Sequence, residues 1–184
     1  ILSRSHSIYE LIERFSKLVI RDLKKEYPDV DYFDDTDVIE CMQDVYSQKK
    51  QAFVVILDEW DCIFREYKED KAAQEKYLDF LRDVLKDKAY IHLAYMTGIL
   101  PIKKYGTHSA LNMFDEFSMI DPGPLAEYVG FTEAEVRMLC EQYQMDMTEV
   151  KCWYDGYSFE NEISIYSPRS VVSCMRFKKI GNYW

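Results

Sequence analysis

Hydrophobic residues along this chain follow two patterns, one typical of helices and one typical of strands. Residues 8–25 and 38–46 place their apolar side chains at the spacing of amphipathic helices. Residues 53–57 form a continuous apolar run, and residues 90–96 form a second run in which His92 is the one exception, which predicts strands buried on both faces of a parallel sheet. A helical pattern at 77–85 lies between these two runs, so the chain is expected to contain a strand-helix-strand unit.

The last third of the chain carries clear helix-start signals. Thr132 to Glu135 is a capping box, and Asp146 is a cap-type residue before a second helical pattern. Ser167 followed by Pro168 begins a third helix, which Gly181 is expected to follow. These signals predict a small helical appendage.

The chain is expected to divide at the Asp-Pro-Gly-Pro sequence of residues 121–124, since these residue types break regular structure. A short apolar run at 117–120, just before the break, fits a third strand. The predicted fold class is therefore α/β, with a parallel sheet and flanking helices over residues 1–121. Residues 122–184 form the predicted helical subdomain. With 184 residues, of which 48% are hydrophobic, the chain can bury a core.

Charge narrows the range of partners. The formal net charge of −10 creates an average surface field that repels nucleic acid and anionic membranes, so this segment is expected to bind neither directly. The apolar runs are too short to span a bilayer and the start lacks a signal-peptide pattern, which predicts a cytoplasmic location. The five cysteines and three histidines are scattered, without the spacing of zinc ligands.

Acidic residues follow the first predicted strand directly. Asp58 and Glu59 come at its C-terminal end, where open α/β sheets place their ligand sites. This is the arrangement of a Walker B element, in which the Asp holds Mg²⁺ and a following Glu activates the attacking water. Thr97 follows the second strand and fits a residue that senses the γ-phosphate. The alternatives are acids that merely face solvent and a threonine placed by chance before the turn residue Gly98.

Four ordered blocks of sequence extend this pattern: Val55–Asp61, Ala94–Ile102, Trp153–Tyr157 and Ile165–Ser170. Together they resemble the AAA-ATPase-like family of uncharacterised bacterial proteins. Longer members of that family commonly carry a PD-(D/E)XK nuclease-like domain downstream. The resemblance implies a P-loop NTPase fold that binds ATP and Mg²⁺. It also implies, as partners, a homo-oligomer or a nuclease-like domain in cis.

The resemblance assigns roles to particular residues. Asp58 is implied to be the Walker B acid that binds Mg²⁺, Glu59 the catalytic base and Thr97 the sensor. Asp61 also matches the family's block, and either structural capping or chemistry explains it. Arg169 lies near the start of a predicted helix, where a cation is slightly unfavourable against the helix dipole. It is therefore a candidate ligand for a phosphate or carboxylate.

The phosphate-binding Walker A motif has no match in the sequence. None of the six glycines begins the pattern G-x-x-x-x-G-K-[S/T], whose glycines let backbone N–H groups approach the phosphates. In the family this motif lies upstream of the region matched by Ile1. We therefore expect either a fragment cut downstream of its P-loop or a parent that lacks one. The expected function is part of a Mg²⁺-dependent ATPase; the alternative is a non-enzymatic interaction module that binds a protein partner.

Several other residues have two interpretations. Lys103, Lys104, His108 and Arg65 lie near the two predicted strand ends, where cations could meet a nucleotide phosphate or simply be solvated. The aromatic block 153–157 could be a recognition patch, since aromatic residues cluster at interfaces. Otherwise it is the end of a helix, with aromatic side chains that lock the appendage onto the core.

Overall fold

A computed structural model describes residues 7–101, 111–118, 120–159 and 163–183. The chain forms two compact units, which divide between Phe114 and Asp115. The predicted boundary lies slightly later, at Asp121. The assignment of residues 1–121 and 122–184 as separate domains stays a prediction.

The first unit begins with two amphipathic helices, as their sequence pattern predicts. Helix α1 spans Ile8–Glu26, and its N-cap Ser7 accepts a hydrogen bond from the N–H of Glu10 (3.2 Å). Helix α2 spans Val38–Lys49 and is capped by Asp37, whose carboxylate accepts from the backbone of the first turn. Both helices bury one face in the hydrophobic core.

The predicted strand-helix-strand unit is confirmed. Strand β1 spans Phe53–Leu57, the short helix α3 spans Cys62–Glu66, helix α4 spans Lys71–Leu85 and strand β2 spans Ile91–Met96. The two strands pair in parallel, with Leu57 opposite Met96 at their C-terminal ends. The described part of this unit is thus mixed α/β, with a small parallel sheet and several helices. Its identity as a partial P-loop fold stays a prediction.

The prediction that the strands are buried on both faces is wrong. Burial alternates along β1 and along β2 from Leu93 to Met96, and one set of side chains packs into the core formed with α1, α2 and α4. The other set forms an exposed sheet face of Val54 (55% exposed), Ile56 (71%), Leu93 (54%) and Tyr95 (48%). A continuous apolar run shows that both faces of a strand are hydrophobic, but it does not show what covers them.

The second unit is not purely helical. It contains a 3₁₀ helix (Gly123–Tyr128), β3 (Phe131–Thr132), α5 (Glu133–Tyr143), α6 (Met147–Tyr154), β4 (Asp155–Phe159), β5 (Ile163–Tyr166) and α7 (Pro168–Phe177). The strands form an antiparallel sheet in the order β3-β5-β4. These strands are short and lack a clear alternation, so their pairing depends on tertiary contacts that the local sequence does not reveal.

Most predicted helix starts in this unit are confirmed. The carboxylate of Glu135 accepts from the N–H of Thr132 (2.8 Å), which completes the capping box. Asp146 caps α6 through its side chain. Ser167 occupies the N-cap position of α7 but makes no side-chain capping bond. The helix ends with Lys178 in a left-handed conformation, so Gly181 does not follow it directly.

The predicted third strand at residues 117–120 is wrong where the structure describes it. Phe117, Ser118 and Ile120 lie in irregular structure. The hydroxyl of Ser118 accepts from the N–H groups of Ile120 (3.2 Å) and Asp121 (3.1 Å), which makes this segment a turn. A serine that bonds to the backbone ahead of it competes with strand pairing.

The exposed sheet face leads to a stability prediction. Ile56→Thr should change the free energy of unfolding by no more than about 0.5 kcal/mol, because Ile56 is largely exposed and threonine suits a strand. Ile63→Thr should cost at least about 2 kcal/mol, because Ile63 is fully buried in the core. Urea denaturation of both variants measures the difference. Equal costs would show that the sheet face is covered in solution.

Candidate functional site

The candidate site lies where the two parallel strands end. Backbone pairing continues past the strands, since the N–H of Thr97 donates to the carbonyl of Leu57 (3.0 Å) and the N–H of Trp60 donates to the carbonyl of Thr97 (2.9 Å). This pairing places Asp58 beside Thr97, and the Thr97 hydroxyl donates a hydrogen bond to Asp58 Oδ1. Two of the predicted site residues are therefore in direct contact.

Glu59 joins this pair through its backbone. Its N–H donates to Thr97 Oγ1 (3.3 Å), so one hydroxyl accepts from Glu59 and donates to Asp58. Glu59 has a φ of 53°, in the left-handed region that residues other than glycine rarely adopt. The structure thus brings the predicted Mg²⁺ acid, catalytic base and sensor together in one cluster. Their chemical roles stay predictions.

Asp61 links this cluster to the segment after β2. Its carboxylate is fully buried, and Oδ2 accepts from the N–H groups of Ile99 (3.1 Å) and Leu100 (3.0 Å). A Cβ atom at Gly98 would lie 2.6 Å from Trp60 Nε1 and 2.9 Å from Asp61 Oδ1. Only glycine therefore fits at this position. Of the two interpretations of Asp61, these contacts favour the structural one, although the carboxylate fastens the loop after β2 rather than capping the turn after β1.

Arg65 connects the two acids on the α3 side of the site. Its Nη2 lies 2.8 Å from Glu59 Oε2, and its Nε lies 3.6 Å from Asp61 Oδ2. The hydrogen bond to Glu59 raises the pKa of the guanidinium. Arg65 was one of the cations expected to meet a phosphate or to be solvated. In this structure its partners are carboxylates.

A small apolar cavity lies behind the acids. Its volume is about 110 Å³, and its walls are mainly hydrophobic residues of α1 and α4, with Asp58 and Glu59 also lining it. The hydroxyl of Tyr77, on α4, donates to the carbonyl of Trp60 (3.0 Å), and burial raises the pKa of Tyr77. Helix α4 is thereby tied to the turn that carries the acids. The apolar walls lack the donors that a phosphate group requires.

The donor atoms of the cluster fit a magnesium ion. Mg²⁺ prefers oxygen ligands and usually takes only one or two carboxylates, with water and phosphate completing its shell. Asp58 offers a carboxylate and Thr97 a hydroxyl at one point. Among the described residues, no three His, Cys, Asp or Glu side chains cluster as a metal site. Asp58 is therefore suited to share an ion with a substrate rather than to enclose one.

The remaining predicted residues lie elsewhere. Arg169 is exposed in the first turn of α7, in the second unit. Its role as a ligand stays a prediction. Lys103, Lys104 and His108 lie outside the described residues. In the part of the chain that the structure describes, no helix has the length and apolar character to cross a membrane.

The aromatic block 153–157 crosses from the end of α6 into β4. Tyr154 is buried, and its hydroxyl both donates to the carbonyl of Gly181 (2.8 Å) and accepts from its N–H (2.9 Å). Trp153 is exposed. Within the second unit, Tyr154 thus joins α6 to the segment that follows α7.

Acids and a hydroxyl thus meet at the C-terminal edge of a parallel sheet, where open α/β sheets place their ligand sites. Residues 2–107 match the family model AAA-ATPase-like, described as a predicted AAA-ATPase. The chain therefore belongs to this family.

The chain is also similar to a protein of Azotobacter chroococcum mcd 1 described as an uncharacterized protein in the vnfD 5′ region. The two are 24% identical over 151 residues. The match covers 79% of this chain but only 29% of the relative, so the chain spans less than a third of that protein's length. No solved structure matches the chain.

Sequence reasoning missed the contacts that join these residues. The spacing of Asp61 and Arg65 by four residues was an available signal, because side chains at this spacing meet on a helix. The contact between Arg65 and Glu59 had no comparable signal, since it depends on the left-handed turn at Glu59. The demand for glycine at position 98 likewise arises from packing between two separate segments.

The buried carboxylate leads to a second stability prediction. Asp61→Asn should lower the free energy of unfolding by about 1.5 to 3 kcal/mol, because it removes the charge from two backbone hydrogen bonds in a buried position. Asp34→Asn is the matched control, since Asp34 also accepts from a backbone N–H but is only partly buried. Denaturant titration of both variants measures the costs. Similar small costs for both would contradict the anchoring role of Asp61.

Proposed function

We propose that these residues supply the acidic part of a Mg²⁺-dependent ATP-hydrolysing site in a longer AAA-ATPase-like polypeptide. The observation that carries the proposal is the contact of Asp58, Glu59 and Thr97 at the ends of two parallel strands. Membership in a family of predicted AAA-ATPases supports it. In this proposal the unit is a partial P-loop fold, and Asp58 and Glu59 form its Walker B element.

Asp58 is proposed to be the acid linked to Mg²⁺. When bound, the ion would neutralise charge on the β- and γ-phosphates of ATP. The Thr97 hydroxyl occupies one lone pair of Asp58 Oδ1 and thereby fixes the orientation of the carboxylate. Because Thr97 also contacts the backbone of Glu59, a change at the γ-phosphate that moves this hydroxyl would reach both acids. Through these two contacts Thr97 would act as a sensor of the γ-phosphate.

Glu59 is proposed to be the general base. Its carboxylate takes a proton from a water molecule while the water oxygen forms a bond to the γ-phosphorus. The bond between the γ-phosphorus and the bridging oxygen breaks, and its electron pair stays with ADP. The products are ADP and inorganic phosphate. The Glu59 side chain is 64% exposed, so water reaches it.

Phosphate binding is proposed to come from another part of the polypeptide. The 184 residues contain no Walker A pattern, and the relative from Azotobacter chroococcum is much longer than the aligned region. We expect the 184-residue chain alone to bind ATP weakly and to hydrolyse none. Arg169 remains a proposed ligand for a phosphate or carboxylate. A cytoplasmic location, homo-oligomerisation and a nuclease-like domain in cis also remain predictions.

A second candidate function is a non-enzymatic interaction module that binds a protein partner. The exposed sheet face favours it, because parallel sheets are normally covered on both faces. A module of this kind would retain its partner when Glu59 is changed to Gln. It would also show no Mg²⁺-dependent ATP binding in the native protein.

The ATPase proposal predicts distinct effects at the two acids. The native protein here means the longer polypeptide that contains this chain. In it, Glu59→Gln should lower kcat by about 10²- to 10⁴-fold, the usual contribution of a general base, while ATP still binds. Asp58→Asn should weaken ATP binding in the presence of Mg²⁺ more than in its absence. Phosphate release and calorimetric titration measure the two effects.

Glu66→Gln is the matched control for these variants, since Glu66 is an exposed glutamate on α3. It should leave turnover and binding unchanged. An undiminished kcat in Glu59→Gln would remove Glu59 as the base. A native protein that binds no ATP by calorimetry would overturn the nucleotide assignment altogether.

A further inference from the structure

Arg65 lies where it can control the proposed base. We propose that Arg65 is a positioning residue that holds the Glu59 carboxylate against α3 in the resting protein, and that hydrolysis requires this ion pair to open. The inference rests on the proposed function, because it concerns the same carboxylate. It adds a restraint that neither the Walker B pattern nor the family match assigns.

The guanidinium is held in place by its surroundings. Arg65 lies on the short helix α3, which is anchored by the buried side chains of Ile63 and Phe64. The buried carboxylate of Asp61 also contacts this guanidinium, with Oδ2 at 3.6 Å from Arg65 Nε. Asp61 is in turn fastened to the backbone of Ile99 and Leu100. The position of Arg65 is thus set by the core and by the loop after β2.

The backbone of Glu59 is held as firmly as the Arg65 guanidinium, whereas the Glu59 side chain is held less firmly. The Glu59 N–H donates to Thr97 Oγ1, and the Glu59 carbonyl accepts from the N–H of Cys62 (3.0 Å). These contacts fix the left-handed turn and direct the residue toward α3. The Glu59 side chain is 64% exposed, and its carboxylate contacts Arg65 Nη2, at 2.8 Å from Oε2. Rotation of this side chain is therefore the available movement.

The ion pair and base catalysis make competing demands on the orientation of the Glu59 carboxylate. A general base must come within hydrogen-bond distance of the water that it deprotonates. In the resting structure Oε2 is occupied by Arg65 and the carboxylate is directed at α3. Exposed ion pairs of this kind stabilise a protein only weakly, so the restraint is easily reversed. Arg65 therefore acts as a tether that the active state must release.

Turnover of the native protein tests the tether. At saturating ATP and Mg²⁺, Arg65→Gln should raise kcat about two- to fivefold, the range that a weak exposed pair allows, with KM nearly unchanged. Arg65→Lys, which keeps the charge, should return kcat toward the native value. Glu59→Gln should lower kcat by about 10²- to 10⁴-fold whether or not Arg65 is present. If Arg65 had only a structural role, Arg65→Gln would lower kcat. Either a lowered or an unchanged kcat in this variant would overturn the proposal.

Arg82→Gln is the matched control, because Arg82 is a similarly exposed helical arginine paired with Asp79 (2.8 Å) and Asp83 (3.1 Å). It should leave kcat unchanged. An increase equal to that of Arg65→Gln would show a general charge effect and would overturn the tether.

A second readout is independent of ATP hydrolysis. In native protein labelled with ¹⁵N-arginine, NMR exchange measurements should show slow rotation of the Arg65 guanidinium, because the ion pair restrains it. Glu59→Gln should accelerate this rotation, and Glu66→Gln should not. If rotation is insensitive to Glu59→Gln while the native protein hydrolyses ATP, the tether is wrong and the proposed function stands. If rotation responds but neither the native protein nor Arg65→Gln hydrolyses ATP, the proposed function fails while the ion pair is real.

Discussion

The parallel pairing of β1 with β2 is the constraint on which the candidate site depends. Because both strands end at the same edge, residues far apart in sequence meet there, and Thr97 contacts both Asp58 and Glu59. One hydroxyl serves as donor to the first acid and acceptor for the backbone of the second. Loss of the strand register would separate all three residues, since a shift by one position reverses the direction of every side chain.

Asp61 and Arg65 support this edge from the α3 side. The fully buried Asp61 carboxylate joins the turn after β1 to the loop after β2, and close packing demands glycine at position 98. Arg65 then connects this buried acid to the exposed carboxylate of Glu59. The site thus has a buried part, made of backbone and buried groups, and an exposed part, the Glu59 side chain, which is paired with Arg65. Such a division suits a residue that must change partners during a reaction.

Periodicity and capping residues predicted most of the local structure because these signals act over a few neighbouring residues. Helices α1, α2 and α4, the strands of the parallel sheet and the Thr132 capping box follow from them. The antiparallel sheet of the second unit was missed, because its short strands are stabilised by partners distant in sequence. The exposed sheet face was also missed, since hydrophobicity reports what a strand could bury and not what lies against it.

The amino-acid sequence by itself determined the elements of the first unit, the acids at the end of β1, the threonine at the end of β2 and the resemblance to an ATPase family, which the family match confirms. Only the tertiary structure decided which of these residues touch. The left-handed turn at Glu59, its ion pair with Arg65 and the burial of Asp61 arise from segments brought together by folding. Local sequence encodes conformational preference, whereas a contact between distant segments depends on the packing of the whole unit.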